Sequence, residues 1–168
     1  MIEKLFFAED ILAGIRIDVI TSSKGIRNIL INKSSLPENF PGKTRLYPDD
    51  PYMLGAFDQL REYFNLERKK FDLMLEITGT DFQKKVWNEL LNINYGETMS
   101  YKDLALKLGN LKTIRAVAQA NGANPLPIVI PCHRVIGADG TLIGYGGGLD
   151  VKEKLLQLEG SRTLELFN

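Results

Sequence analysis

Apolar residues recur at every second position in parts of the first half of the chain, a pattern typical of β-strands. Leu5-Phe6-Phe7 is a short apolar run, and Ile15, Ile17 and Val19 alternate with other residues. The turn-forming segment 21–25 separates this second strand from an apolar run at 26–31, so the pattern predicts a hairpin. Segment 32–51 is rich in Pro, Gly, Ser and Asp and is predicted to be a loop.

A change of period then predicts one helix and one further strand. Asp50-Pro51 is typical of a helix start, with a capping carboxylate and a proline in the first turn. Apolar residues follow at helical spacing: Met53, Leu54, Phe57, Leu60 and Phe64. Alternation from Phe71 to Ile77 predicts another strand. We find no recognisable chemistry here and interpret residues 1–78 as a scaffold domain.

The second half is predicted to be mainly helical. Three segments carry the pattern of a capping box, Thr80–Gln83, Ser100–Asp103 and Asp150–Glu153. The first predicts a helix that ends near Asn94, with Phe82 on its apolar stripe and Trp87 in the core. The third predicts a helix that stops at Gly160.

The second of these segments begins a helix-turn-helix pattern. Gly109 is expected to end the first short helix, and Asn110 to cap the next one. Arg115, Gln119 and Gly122 then fall at i, i+4 and i+7, away from the apolar stripe and among small residues that include Ala120. Such a face lets a backbone approach a DNA groove, although small residues are also common where two helices pack.

Charge and composition narrow the class of protein. The net charge of the 168 residues is zero, but segment 98–135 contains five cations and one acid. These residues are Lys102, Lys107, Lys112, Arg115 and Arg134 against Asp103. A local basic region fits a short phosphate-binding surface, and it fits an ordinary solvated face as well.

Other features exclude several kinds of site. One cysteine and one histidine leave no internal disulfide and no zinc site of Cys and His ligands. The glycine-rich segment 144–148 lacks the Gly-Lys-Ser/Thr of a phosphate loop, and we expect no cofactor. The sequence has no signal-peptide pattern and no window of membrane-spanning length. We therefore expect a soluble cytoplasmic protein, nuclear if the source is eukaryotic, with no membrane partner.

The single cysteine and the single histidine are adjacent, as Cys132-His133. The preceding apolar run, 126–130, is predicted to be a buried strand or extended segment that ends at Pro131. A thiol attacks as thiolate, and imidazole is the usual group that takes its proton. Because neighbours in an extended chain point to opposite sides, a water or a tight turn must bridge them. Taken alone, such a pair is more often an inert buried thiol beside a surface histidine.

The motifs around this pair closely resemble those of the O6-alkylguanine-DNA alkyltransferase family. The likeness runs from about Thr80 to Gly160. The matching segments are Phe82-Gln83, Val86-Trp87, Tyr95–Thr98, Ser100-Tyr101, Arg115–Val117, Asn124-Pro125, Pro131–Val135, Gly144-Tyr145, Leu155-Leu156 and Glu159-Gly160. The resemblance implies an α+β fold. A small α/β domain with an antiparallel sheet plus a helix (1–78) precedes a mainly helical domain for DNA binding and alkyl transfer (79–168).

The resemblance also implies the catalytic roles. Cys132 would take the alkyl group from O6-alkylguanine in double-stranded DNA and be consumed, because a thioether is not readily hydrolysed. His133 would act on the thiol through a water molecule and be oriented by Glu159, although a solvent-exposed glutamate is the default for such a position. Asn124 would hold the active-site backbone. Tyr101 would donate a proton toward the guanine leaving group.

A second set of residues is implied to bind DNA and the flipped-out base. Arg115 would enter the base stack in place of the extruded nucleotide. The backbone groups of Cys132 and Val135 would bind the base, and Tyr145 and Gly146 would line the pocket. Ser100, Gln119 and Gly122 complete the expected DNA surface.

The chain departs from the family pattern in two places. Asn94 stands where many members have proline, which should loosen a turn. Gly146 stands where serine is frequent, which removes a hydroxyl near the base and bears on the preference for bulky alkyl groups. We expect a monomer, with cooperative binding along DNA left open.

Three other functions compete with this interpretation. A lesion sensor that binds without transfer would lack the cysteine, whereas Cys132 is present. A cysteine hydrolase would need an oxyanion hole and a turnover route, and the sequence suggests neither. A helix-turn-helix regulator would be expected to carry a dimerisation element, and none is evident.

Overall fold

The computed structural model of the protein describes residues 4–33, 36 and 43–162. The chain divides into two compact units, Met1–Thr78 and Gly79–Asn168. The first unit is built around a sheet and the second is mainly helical, which confirms the predicted α+β class. In the described ranges no helix has the length and apolar character needed to cross a membrane.

The first unit contains a four-stranded sheet with the order β3-β2-β1-β4. Its strands are β1 (Leu5–Leu12), β2 (Ile15–Ser22), β3 (Gly25–Ile31) and β4 (Lys43–Arg45). The predicted hairpin is confirmed as the antiparallel pair β2–β3, in which Ile17 lies opposite Ile31. β4 pairs parallel to β1 and falls within the segment predicted to be a loop, parts of which lie outside the described residues. Its three residues are too few to show a period.

The helix of this unit starts later than predicted. Pro51–Met53 forms a 3₁₀ turn capped by Asp50, and Leu54 and Gly55 then adopt positive φ angles of 56° and 70°. These two left-handed residues interrupt the helix, so α1 spans Ala56–Phe64. Leu54 is exposed as a result, and Tyr63 is buried where Phe64 was expected.

The strand predicted over 71–77 is wrong as a regular element. Only Leu75 forms a bridge, with Ile26, supported by backbone hydrogen bonds of 2.8 and 2.9 Å. Gly25 allows this close approach, because a Cβ at that position would lie 2.6 Å from the Met74 carbonyl oxygen.

The described part of the second unit contains four α-helices and one short parallel strand pair. The helices are α2 (Asp81–Leu90), α3 (Tyr101–Lys107), α4 (Ile114–Gly122) and α5 (Leu149–Leu158), and the strands are β5 (Met99–Ser100) and β6 (Val135–Ile136). Trp87 is buried as predicted, and its indole N–H donates to the Ala120 carbonyl at 2.8 Å, fixing α2 against α4. Phe82, expected on the buried stripe, lies 36% exposed.

The helix starts agree with the sequence in two of three cases. Thr80 and Gln83 form the predicted capping box. Ser100 caps α3, accepting a hydrogen bond from the Asp103 N–H. The third cap is wrong, because α5 begins at Leu149 after Gly148 and has no side-chain cap. Asp150 lies instead in the first turn, where a carboxylate favours the helix dipole.

The predicted helix-turn-helix is confirmed in α3 and α4. Gly109 ends α3 with a φ of +92°. Asn110 accepts a hydrogen bond from the Lys112 N–H and so caps a 3₁₀ turn, Leu111–Thr113, that leads directly into α4.

Candidate active site

The run before the cysteine is buried, but the predicted strand or extended segment is wrong, because the chain makes a tight turn there. Ile130 N–H donates to the Leu126 carbonyl at 2.8 Å, and Ile128 adopts a positive φ of 75°. The side chain of Asn124 supplies the partners that a sheet would have supplied. Its oxygen accepts from Leu126 N–H at 3.0 Å, and its amide nitrogen donates to the Ile130 carbonyl at 2.7 Å.

Pro131 ends this turn and a 3₁₀ turn, Cys132–Arg134, follows. The Cys132 carbonyl accepts a hydrogen bond from Val135 N–H, which closes the turn. β6 then pairs with β5, where Met99 lies opposite Val135. The cysteine is thereby anchored beside the start of the helix-turn-helix.

His133 and Arg134 share one buried carboxylate. His133 is 0% exposed and Glu159, at the end of α5, is 6% exposed. The His133 Nε2 lies 2.8 Å from Glu159 Oε1, and Arg134 donates to both carboxylate oxygens, at 2.8 and 2.9 Å. Arg134 also donates to the Ile93 carbonyl at 2.6 Å. A buried charge of each sign is thus paired and hydrogen-bonded.

The Tyr95-Gly96 motif belongs to the same cluster. Gly96 N–H donates to Glu159 Oε2 at 3.3 Å, and Gly96 has a φ of +80°. A Cβ there would lie 3.0 Å from the Glu159 carbonyl oxygen, so the close approach favours glycine. The Tyr95 hydroxyl donates to the Leu158 carbonyl at 3.2 Å.

The ionisation of this cluster follows from its contacts. Burial alone would raise the pKa of Glu159, but hydrogen bonds from His133 and Arg134 outweigh it and lower that pKa to about 2. Burial lowers the pKa of His133 despite the carboxylate. Glu159 is therefore an anion that only accepts, so the neutral imidazole carries its proton on Nε2. Nδ1, which has no hydrogen-bond partner among the described residues, is left as the basic atom.

Cys132 is 5% exposed, and burial raises the pKa of its thiol to about 11. A hydrogen bond from Asn124 and the positive charge of Lys152 act against that rise. The thiol is consequently protonated at neutral pH, and attack requires a base to take its proton.

Lys152 is a fully buried lysine of α5 beside the site. Its ammonium donates to the Ile143 carbonyl at 2.8 Å and lies 5.7 Å from the centroid of the Tyr101 ring. Burial lowers its pKa to about 8, so it is mostly cationic at neutral pH. It holds the loop between β6 and α5 and places a positive charge near Cys132.

Tyr101, the first residue of α3, joins this cluster through its hydroxyl. The hydroxyl donates to the Ile143 carbonyl at 3.3 Å and accepts from the Asn121 amide at 3.3 Å. Burial raises its pKa and the charge of Cys132 adds to the rise.

Burial also raises the pKa of Tyr145 well above its usual value, with Cys132 and Glu159 contributing. The Tyr145 hydroxyl is buried without a partner among the described residues.

Five residues expected to contact DNA lie outside this buried cluster. Arg115, Gln119 and Gly122 are exposed on α4, and a Cβ at Gly122 would meet nothing within 4 Å. Gly146 is exposed and equally open. Ser100 is half-buried, and its hydroxyl is engaged with Asp103 at 2.6 Å.

The structure corrects two expectations about this surface. Ala120, assigned to the exposed face, is buried where α2 packs against α4, and its carbonyl accepts from the Trp87 indole. Arg134 was counted in the basic region, but it is buried against Glu159 and adds nothing to the surface charge. The other four cations of segment 98–135, Lys102, Lys107, Lys112 and Arg115, are exposed, and Lys107 pairs with Glu89 at 3.2 Å.

Sequence reasoning missed three residues of the site: Asn121, Arg134 as a structural ion pair, and Lys152. Lys152 falls two residues after Asp150 in a polar run, which predicts a solvent-exposed position. Asn121 falls near the end of a predicted helix, where an asparagine is ordinary. The one available signal was the helical spacing, since Lys152, Leu155 and Glu159 lie at i, i+3 and i+7 on one face.

Replacing Glu159 with Gln should destabilise the protein at neutral pH by about 3–5 kcal/mol, because Arg134 would keep a buried charge without its anion. The folded pKa of about 2 lies below the ordinary 4.5, so this stability is present above pH 4.5 and is lost as pH falls toward 2. Urea unfolding at about pH 7 and about pH 3 measures it.

The matched control is Glu153→Gln on the same helix, which removes a partly exposed ion pair of 3.6 Å with Arg162 and should change stability by less than about 1 kcal/mol. If wild type and Glu159→Gln differ in free energy of unfolding by the same amount at both pH values, the low pKa assigned to Glu159 is contradicted.

Comparison with known families matches nearly the whole described chain. Residues 81–161 match the 6-O-methylguanine DNA methyltransferase, DNA binding domain. Residues 16–77 match the 6-O-methylguanine DNA methyltransferase, ribonuclease-like domain.

Individual relatives agree with these matches. A methylated-DNA–protein-cysteine methyltransferase of Mycobacterium bovis is 49% identical over 148 residues, which cover 86% of this chain and 90% of that protein. The crystal structure of Mycobacterium tuberculosis O6-methylguanine methyltransferase has a TM-score of 0.84 and 38% identity, covering 96% of each chain. A structure of Mycobacterium tuberculosis OGT in complex with DNA has a TM-score of 0.83 and 40% identity, covering 93% of each. The chain belongs to the 6-O-methylguanine DNA methyltransferase family.

Proposed function

We propose that this protein repairs DNA by moving the alkyl group of O6-alkylguanine onto Cys132 in a single, self-consuming reaction. The observation that carries the proposal is the buried Cys132-His133 turn, in which Glu159 holds the imidazole so that Nδ1 is the basic atom. The family membership agrees with this chemistry, since the relatives are named methylated-DNA–protein-cysteine methyltransferases.

The thiol must lose its proton as the new bond forms. His133 Nδ1 takes that proton through a water molecule, because the side chains of two adjacent residues need a bridge between them. The sulfur then attacks the alkyl carbon, and the electron pair of the breaking C–O bond passes to O6 of guanine. Burial of the Cys132 thiol opposes its ionisation. The positive charge of Lys152 acts in the other direction and favours the developing thiolate.

The leaving guanine must gain one proton. Tyr101 donates it, and its hydroxyl regains a proton that His133 has released to solvent. The net change is that thiol and O6-alkylguanine become thioether and guanine. Asn124 keeps the Cys132 turn in place through its bonds to Leu126 and Ile130.

The lesion reaches this buried thiol only if the nucleotide leaves the helix. α4 presents Arg115, Gln119 and Gly122 to DNA, with Ser100 at the start of α3, and Arg115 fills the space left by the flipped nucleotide. Flipping costs a few kcal/mol, and the inserted side chain offsets part of that cost. Tyr145 and Gly146 line the pocket, and the backbone of Cys132 and Val135 binds the base.

The bare position at Gly146 bears on which alkyl groups fit. A Cβ there would meet nothing within 4 Å, so the site has open space where many relatives carry a hydroxyl. The loss of that hydroxyl bears on the preference for bulky alkyl groups.

Intact-protein mass spectrometry with peptide mapping tests the function. Incubation with excess duplex DNA carrying one O6-methylguanine should add one methyl group to Cys132 and then stop. The Cys132→Ala variant should bind the lesion and remain unmodified. An unmodified wild type with reduced thiol and intact lesion would sink the proposal, and lesion binding in that sample would indicate a sensor.

Arg115→Ala should slow transfer from duplex DNA by about tenfold or more, since losing about 1.4 kcal/mol of support for the flipped state has that effect. Transfer from the free O6-methylguanine base, which needs no flipping, should change by less than about twofold. Single-turnover rates at saturating substrate measure both.

Lys112→Ala is the matched control, because it removes an exposed cation of the same region. It should weaken DNA binding in a salt-dependent way and leave the saturated rate unchanged. Equal losses on duplex and free base in Arg115→Ala would contradict a role in flipping.

A further inference from the structure

Asn121 is a buried polar residue that the proposed reaction does not yet use. It lies near the end of α4 and is 3% exposed. Its amide nitrogen donates to the Tyr101 hydroxyl at 3.3 Å and to the Cys132 carbonyl at 3.3 Å. It therefore connects α4, the tyrosine that protonates guanine and the turn that carries the nucleophile.

The orientation of this amide is fixed by chemistry. The Cys132 carbonyl can only accept a hydrogen bond, so the side of the amide that faces it must be the NH₂ group. Both amide protons are then committed, one to that carbonyl and one to the Tyr101 oxygen. Asn121 Oδ1 is buried without a hydrogen-bond partner among the described residues, which shows that the orientation has a cost.

This arrangement of the Asn121 amide determines the direction of the Tyr101 O–H. Because the tyrosine oxygen accepts from Asn121, its own O–H must point away from the amide. The only acceptor found for it in the described structure is the Ile143 carbonyl, at a long 3.3 Å. This bond and the Asn121 bond are equally long at 3.3 Å, so a substrate atom can replace the Ile143 carbonyl at small cost, and the Asn121 bond can shorten as charge develops.

We infer that Asn121 is a positioning residue that orients the Tyr101 hydroxyl as a proton donor toward the bound base. The inference deepens the proposed function and rests on it. In the reaction, Tyr101 gives a proton to guanine and is left as tyrosinate, whose negative oxygen keeps the hydrogen bond from Asn121. That bond strengthens as charge develops, which lowers the barrier to proton transfer.

The electrostatics around Tyr101 agree with this role. Burial and the charge of Cys132 raise its pKa, and the hydrogen bond from Asn121 lowers it. The Lys152 ammonium also faces the ring, at 5.7 Å from its centroid. Without Asn121, the hydroxyl would be a weaker acid and would be free to rotate.

The test compares single-turnover transfer rates in wild type, Asn121→Leu and Asn121→Asp at saturating lesion duplex. Leu removes the donor at similar size, and Asp replaces it with an acceptor that draws the Tyr101 proton to itself. We expect Leu to slow transfer by about tenfold, the effect of losing about 1.4 kcal/mol, and Asp to slow it more. Lesion affinity should change by less than about twofold.

A double-mutant cycle separates positioning from a structural role. In a Tyr101→Phe background, Asn121→Leu should slow transfer by less than about twofold, because the group it acts through is absent. NMR of tyrosine labelled at the ring carbon that bears the hydroxyl should show a higher Tyr101 pKa in Asn121→Leu than in wild type. Asn88→Leu, at an exposed site on α2, is the matched control.

Each outcome decides the inference. Wild-type rates in Asn121→Leu, an equal loss in the Tyr101→Phe background, or an unchanged Tyr101 pKa would overturn it while the proposed function stands. Failure of wild type to transfer would overturn the function itself. Thermal unfolding checks that the variants fold, and Asn121→Ser replaces Leu in the cycle if Leu does not.

Discussion

One buried carboxylate, that of Glu159, is the contact on which the site depends. It holds His133 and Arg134 at the same time, and it accepts from the backbone of Gly96. Arg134 carries the connection on to the Ile93 carbonyl, just after α2. The end of α2, the cysteine turn and the end of α5 are thus joined by a single ion-pair network. Removing any member leaves a buried charge or donor unpaired, which is why the motifs form a unit.

The same network sets the chemistry of the thiol. Arg134 neutralises Glu159, so the buried imidazole has little electrostatic reason to become charged and is available as a base. The Cys132 thiol, with a pKa of about 11, stays protonated and unreactive until a substrate is placed against it. For a protein that reacts only once, this protects the nucleophile from being consumed elsewhere. The cation that eases ionisation, Lys152, is held by loop carbonyls near Tyr101.

Much of this could be predicted from the sequence, and the failures have physical causes. The Thr80 cap, the Gly109 stop and the buried Trp87 depend on local chemistry that a short window contains. The strand or extended segment predicted before Pro131 is wrong because an apolar run indicates burial but does not determine conformation. There the Asn124 side chain replaces a sheet partner, which periodicity does not reveal. The buried positions of Arg134, Lys152 and Asn121 depend on contacts between distant segments. The residue types alone therefore do not predict that these side chains are buried.

The reactivity of the site depends on Glu159 holding a neutral His133 with its proton on Nε2. Because the chain has one histidine, ¹⁵N labelling of histidine reports on this ring alone. The long-range ¹H–¹⁵N spectrum of the free protein, followed through a pH titration, measures the tautomer and the pKa. We expect a neutral Nε2–H imidazole at neutral pH that becomes protonated only below its ordinary pKa of 6.5. An Nδ1–H tautomer, or an imidazolium that persists at neutral pH, would contradict it.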